Sequence, residues 1–550
     1  MSLPSVTDYH DAVQSPSKAF SDPTLRAGTL ATNALGLPMM LGGGLAITYR
    51  VRSGEKEYAV RCFHQDAPGL ASRYAQISRA LQGLKSPSFV AFEYQAAGIL
   101  VRGQQHPIVR MDWVDGQTLD AYLRDNLSQP TKIAQLRTRF AALEKHLRSQ
   151  GIAHGDLQNL NVIVQNDDIR LIDYDGMYVP GMTAGTGSEV GHKAFQHPGR
   201  TTRHFGPEID RFSFIAIDLG LEALQHRPTL FHDLKHGGEA IVFSATDYAN
   251  PNNSAAFDAV RAIPGLKDKA DRLAAIATAD MSLVPTLDDY LSGQNIPRLV
   301  ATAASVTSAR PANQYIGAHP VLDGADYDLV LRQVGERVEL VGKIVSVKEG
   351  VGRRGRGRGQ PYVFVNFGPW NRQSVKITLW SDGLQQVQAR PNQSWVGKWV
   401  SVTGLIEPPY HGSFRGNAYS SVGITISSEG QIVHLDEKAA RLRLATVGQS
   451  ASKPAGAASN QAVLQRVRAG APLTSKTASS PSRPTAPVSS NAAVIAALKA
   501  SSPSSSPAPS FRTPPRYPST APRTSSGSSS WFWTILIIGG LLFLASQCGA

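Results

Sequence analysis

The stretch that most restricts what this chain can fold into is GIAHGDLQNLNVIVQNDDIRLIDYDGMYVP, residues 151–180. Two apolar runs of strand length, NVIV and IRLI, are separated by the turn-forming tetrapeptide QNDD, which predicts a short antiparallel hairpin. Polar residues bracket it. His154, Asp156 and Asn161 come before the first strand, and Asp173 and Asp175 follow the second. A tight hairpin returns the chain to its starting point, so Asp173 is expected beside Asn161, with Asp156 close by.

Two carboxylates and an amide at this spacing suit phosphoryl transfer. That reaction needs one carboxylate beside the acceptor hydroxyl, and an amide and a second carboxylate to hold Mg²⁺ over the phosphates of ATP. HGD or DYDG alone is a weak signal; both in order, around two strands, are a specific one.

HGDLQNLN and DYDG resemble the catalytic loop and metal-binding motif of the protein-kinase superfamily, and the resemblance spans residues 37–299. Within that superfamily, AHGDL, LIDYDGMYVPG and DRFSF are similar to a bacterial kinase-like branch. The resemblance implies an α+β bilobal fold over residues 31–300, with ATP and Mg²⁺ (or Mn²⁺) as cofactors. It implies Asp156, Asn161 and Asp173 as catalytic residues, the last two on the metal. Gly42, Gly43 and Gly44 would cover the phosphates, Arg61 would contact them, and Met111, Asp112 and Val114 would line the adenine pocket. Asp210, leading the helix-like DRFSFIAIDLGLEAL, would tie down the catalytic loop, and QHP stands where the family has A-P-E.

The chain departs from the family pattern in four places. Arg61 replaces a lysine, and a planar guanidinium is not equivalent to a compact ammonium. No glutamate follows at the distance of the usual partner; Gln76 is what the next helix offers. Ala46 or Ile47 stands where the last loop glycine belongs, and Gln158 where protein kinases carry a lysine. The resemblance implies a Ser/Thr protein kinase, which the apolar C-terminal stretch described below would anchor to a membrane, acting on a protein substrate in signalling. A nucleotide-binding pseudokinase scaffold and a small-molecule phosphotransferase remain open. His192 and His197 have no acid or Cys at ligand spacing beside them and read as structural, and Cys62 reads as core.

Beyond residue 320 the runs RVELVGKIVSV, PYVFVNFG, SVKITLW, GKWVSVTGLI and AYSSVGITI are β-branched and strand-length. They predict a small all-β barrel over 320–436, resembling an OB-fold. Its first hairpin carries Arg353, Arg354, Arg356 and Arg358 among glycines, next to Phe364, Phe367 and Trp370. This layout fits contact with single-stranded nucleic acid or anionic lipid, or else a solvated loop beside core aromatics.

The net charge of +13 is concentrated in the tail: after Glu437 there are twelve basic residues and no acidic one. Residues 446–530 are rich in Ser, Pro and Ala and predict a disordered linker. SNQAVLQRVRA (459–469) recurs as SNAAVIAALKA (489–499), a pair of short helical repeats suited to docking a partner. Residues 1–30 are expected to be a flexible terminus without a secretory signal. The uncharged WFWTILIIGGLLFLASQCGA at the end predicts a single transmembrane tail anchor over 531–548, with the folded domains in the cytoplasm. With only Cys62 and Cys548, no disulfide framework or Cys-based zinc site can form.

Overall fold

The computed structural model describes residues 3–447, apart from 34–35, 66–68, 85, 235, 237, 299–314, 353–357 and 415. These residues fall in one compact unit of mixed α+β structure containing four sheets.

The first sheet comprises β1 (Thr29–Leu30), β2 (Met40–Gly43), β3 (Ala46–Ser53), β4 (Lys56–Phe63), β5 (Phe92–Val101) and β6 (Gln104–Asp112). Its order is β1-β3-β4-β6-β5, and β2 also pairs with β3. Alternation along β3 and β4 puts Ile47, Tyr49, Val51, Val60 and Cys62 in the core, as expected for Cys62. Helix Leu70–Leu84 follows β4 and contributes Tyr74 and Ile77 to the interior. The helical half centres on Pro130–Ser149 packed against Arg211–His226, a helix buried almost all round. Between the halves lies the small sheet β7 (Gln117–Thr118), β8 (Val162–Gln165) and β9 (Asp168–Leu171).

Residues 5–26 are folded rather than flexible. Three short helices, Val6–Val13, Pro16–Ala19 and Pro23–Arg26, bury Tyr9, Val13 and Leu25 against the first sheet. Ser5 and Asp8 form a reciprocal capping box, Asp22 caps the third helix, and Tyr9 Oη donates to Phe63 O at 2.9 Å.

The C-terminal block differs from the expected barrel: it consists of two open sheets sharing one core. The four-stranded sheet is β10 (Val321–Asp323), β11 (Arg337–Lys343), β15 (Trp399–Leu405) and β18 (Ile432–Leu435). The five-stranded sheet, ordered β12-β13-β14-β17-β16, is β12 (Ser346–Val351), β13 (Pro361–Asn366), β14 (Gln373–Leu379), β16 (Glu407–Phe414) and β17 (Asn417–Ile426). The chain changes sheet at Ile344 and Val345. Ile344 N–H donates to Lys398 O, and the next amide, Val345 N–H, donates to Asn366 O on the other side, both at 2.9 Å. Diverging hydrogen bonds from adjacent residues separate the two sheets.

The expected transmembrane helix has no counterpart among the described residues. Among the described residues no helix is long and apolar enough to cross a membrane. Pro130–Ser149 has the length, 20 residues, but carries Lys132, Arg137, Arg139, Glu144, Lys145 and Arg148. The expected anchor, 531–548, and both tail repeats lie outside the described residues.

If the N-terminal helices belong to the core, Tyr9→Ala should lower the unfolding free energy of the chain by about 3–5 kcal/mol in urea titration. A change within about 0.5 kcal/mol would return these residues to a flexible terminus.

Candidate functional site

The hairpin predicted over 162–171 is present, with Gln165 opposite Asp168 and a two-residue turn at Asn166 and Asp167. Both turn residues have positive φ, 52° and 63°, the geometry that matches the twist of the flanking strands. Ile172 N–H donates to Asn161 O at 3.0 Å, so the loops before β8 and after β9 are fastened together.

Asn161 Nδ2 then donates to both the backbone carbonyl and Oδ2 of Asp156, each at 2.9 Å. Gln158 Nε2 donates to the same Oδ2 at 3.2 Å. The imidazole of His154 braces the loop from within: Nε2 donates to Ile172 O at 3.0 Å and Nδ1 accepts from Asp156 N–H at 3.3 Å. Asp210 accepts from the amides of His154 and Gly155, fulfilling the tie expected of it. Burial pushes the Asp210 carboxyl up, against the pull of His154 and Arg200. Gly155 has φ +83°, and a Cβ there would sit 2.1 Å from Gly176 O, so only glycine fits.

Asp173 has φ +66°, a conformation non-glycine residues seldom adopt and one concentrated at functional sites. Its Oδ1 lies 2.9 Å from Arg61 Nη1. Arg61 Nη2 lies 2.5 Å from Asp175 Oδ2, and Tyr74 Oη donates to the other oxygen of Asp175. The carboxylate partner missing from the helix is therefore supplied by the second Asp of DYDG. Gln76 is not the partner; its amide donates to Ser72 Oγ one turn back, and Tyr74 is the residue of that helix that reaches Asp175.

The covering segment is 188–192. Ser188 Oγ donates to Asp175 O at 3.1 Å, and His192 N–H donates to Asp156 Oδ1 at 2.6 Å. Gly191 lies so close that a Cβ would be 2.8 Å from Asp156 Oδ1. Glu189 is half-buried against Gly176. Burial, then Asp156, Asp175 and Asp173, push its carboxyl well above the ordinary glutamate range.

Gly42 and Gly44 have φ of +92° and +67° at the turn joining β2 to β3, where Gly43 pairs with Ala46. Both Ala46 and Ile47 are buried strand residues, so the last loop glycine has no counterpart. Met111 is buried on β6 opposite Ala59 and Phe92. Asp112 N–H donates to Ala91 O and Trp113 N–H to Glu57 O, while Val114 packs at the edge of the core.

His197 is structural as expected, with Nε2 on Ile276 O and Nδ1 accepting from Gly199 N–H, both at 3.0 Å. His192 is not isolated: its Nε2 lies 2.8 Å from Glu239 Oε2, which also meets His319. In the C-terminal block Phe367 is core rather than a surface platform, its ring filling the space over Gly324 and Gly342. Phe364 lies tilted against Tyr362, ring centroids 4.6 Å apart, beneath the Lys376 ammonium, and Trp370 is exposed. Arg358 bridges to Gly352; Arg353, Arg354 and Arg356 lie outside the described residues.

No protein-family model matches the sequence, and no curated protein matches it significantly.

Asp175→Ala strips a buried guanidinium of one of its two carboxylates and should cost about 3–5 kcal/mol in urea unfolding. Gln76→Ala should stay within about 0.5 kcal/mol. Equal losses would mean that Asp175 is not the partner of Arg61.

Proposed function

We propose that residues 31–300 bind ATP and transfer its γ-phosphoryl group to a protein hydroxyl, in the manner of a Ser/Thr protein kinase. The observation that carries this reading is the convergence of Asp156, Asn161, Asp173 and Arg61 through the β8–β9 hairpin. Asp156 would accept the proton of the attacking hydroxyl. For that, His192 N–H must leave its Oδ1, so the segment 188–192 has to lift. Asn161 Nδ2 is committed to Asp156, which leaves its carbonyl oxygen to face a metal beside Asp173.

Asp173 fits a cation, since it already faces the positive charge of Arg61 at 2.9 Å. Mg²⁺ or Mn²⁺ held by Asn161 and Asp173 would neutralise charge on the β- and γ-phosphates. With Asp173 so engaged, Arg61 Nη1 becomes free to meet the α- and β-phosphates while Nη2 keeps its hold on Asp175. The turn at Gly42 and Gly44 would close over the phosphates, and Met111 to Val114 would border the base.

One observation favours a nucleotide-binding pseudokinase scaffold instead: both oxygens of Asp156 and both terminal nitrogens of Arg61 have partners within the protein. The two readings separate in one experiment, incubation of the full chain with γ-labelled ATP and Mg²⁺ or Mn²⁺ beside Asp156→Asn and Asp173→Asn. Label on the protein or on a basic substrate protein, lost in both variants, is the expected result. Nucleotide-dependent stabilisation without any label would leave the scaffold reading.

A further inference from the structure

We propose that His192, Glu239 and His319 form a site for a divalent transition-metal ion, zinc by the chemistry of its donors, that fastens the segment 188–192 to the C-terminal block. The three residues come from parts of the chain far apart in sequence, yet their ligand atoms lie within 4.8 Å of one another. Both imidazoles meet the same atom, Glu239 Oε2, with His192 Nε2 at 2.8 Å and His319 Nε2 at 2.9 Å. Donors around a tetrahedral zinc ion with bonds of about 2.1 Å stand roughly 3.4 Å apart, so each Nε2–Oε2 separation would open by about half an ångström to admit the ion.

The surroundings suit the ion. Arg337 Nη2 holds the other carboxylate oxygen, Oε1, at 3.3 Å, which orients Oε2 toward the imidazoles. Two imidazoles and one carboxylate are a zinc donor set that leaves a fourth position open. A cavity of about 140 Å³, lined by Glu239, His319, Ala194 and Ser244 among others, adjoins the cluster and has room for water at that position.

Metal uptake has local costs. His192 Nδ1 accepts from Ala194 N–H at 3.3 Å, and a ring bound through Nε2 carries its proton on Nδ1 instead. This hydrogen bond and the two from the imidazoles to Oε2 are exchanged for three bonds to the metal. Each neutral ring moves its proton from Nε2 to Nδ1, so no proton need be released. Without metal the same three residues form a hydrogen-bonded network in which both Nε2–H groups donate to Oε2, and the experiment has to separate these two states.

Because His192 N–H caps Asp156, an ion on its ring would also hold the segment down over that carboxylate. This consequence for activity rests on the phosphotransfer reading; metal binding does not. The test uses the full chain, made without a polyhistidine tag and stripped by a chelator. It is titrated with Co²⁺ and then Zn²⁺, beside His319→Gln, Glu239→Gln and, as a surface control, His411→Gln. One equivalent of Co²⁺ with the strong visible bands of a four-coordinate ion, displaced by Zn²⁺, is expected in the wild type and His411→Gln. Those bands should be absent from His319→Gln and Glu239→Gln, with far-UV circular dichroism reporting whether each is folded. Folded wild-type protein that gives no such bands, or bands undiminished in a folded His319→Gln or Glu239→Gln, would overturn the proposal.

Discussion

The arrangement of the site depends on a buried positive charge. Arg61 projects from the middle strands of the first sheet, and a guanidinium out of contact with water must be paired. Its partners, Asp173 and Asp175, both lie just beyond the β8–β9 hairpin, so this one group joins the sheet to the hairpin. Tyr74 brings the intervening helix to the same anchor through Asp175. Losing one partner of such a buried set typically costs about 3–5 kcal/mol. The left-handed backbone at Asp173 persists because the side chain is held from above and Ile172 N–H from below.

The segment 188–192 adds a second set of contacts to the site. It covers Asp156, brings Glu189 near three carboxylates that push its pKa up, and sends His192 outward to Glu239. Glu239 meets His319 and Arg337 of the C-terminal part of the chain. Although burial alone would raise its pKa, His319, Arg337 and the bonds from both histidines hold the carboxyl well below the ordinary range. His319, Glu239 and His192 thus form a chain of contacts from the C-terminal block to the segment that caps Asp156.

Much of this was legible in the sequence because it is local. The hairpin, its turn, and the placement of Asn161 and Asp173 follow from two apolar runs and four turn residues. All five β-branched runs beyond residue 320 are strands, yet alternation says nothing of closure. The split into two sheets arises from divergent hydrogen bonds at Ile344 and Val345. Phe367 falls just past β13, where the inside–outside alternation no longer places a side chain. The N-terminal helices had readable signals in the Ser5–Asp8 box and in Asp22-Pro23, but each is too short for periodicity to register. Asp175 as the partner of Arg61, and Glu239 and His319 around His192, come together only through tertiary contact, which no spacing rule encodes.

The central claim is that Asp173 receives the metal of a bound nucleotide in exchange for Arg61. Calorimetric titration of the full chain with MgATP, beside Asp173→Asn, tests it most directly. The account predicts a single site in the wild type that weakens when Mg²⁺ is replaced by a chelator and is lost in Asp173→Asn. Binding that is equally tight in the variant, or no binding by folded wild-type protein, would contradict it.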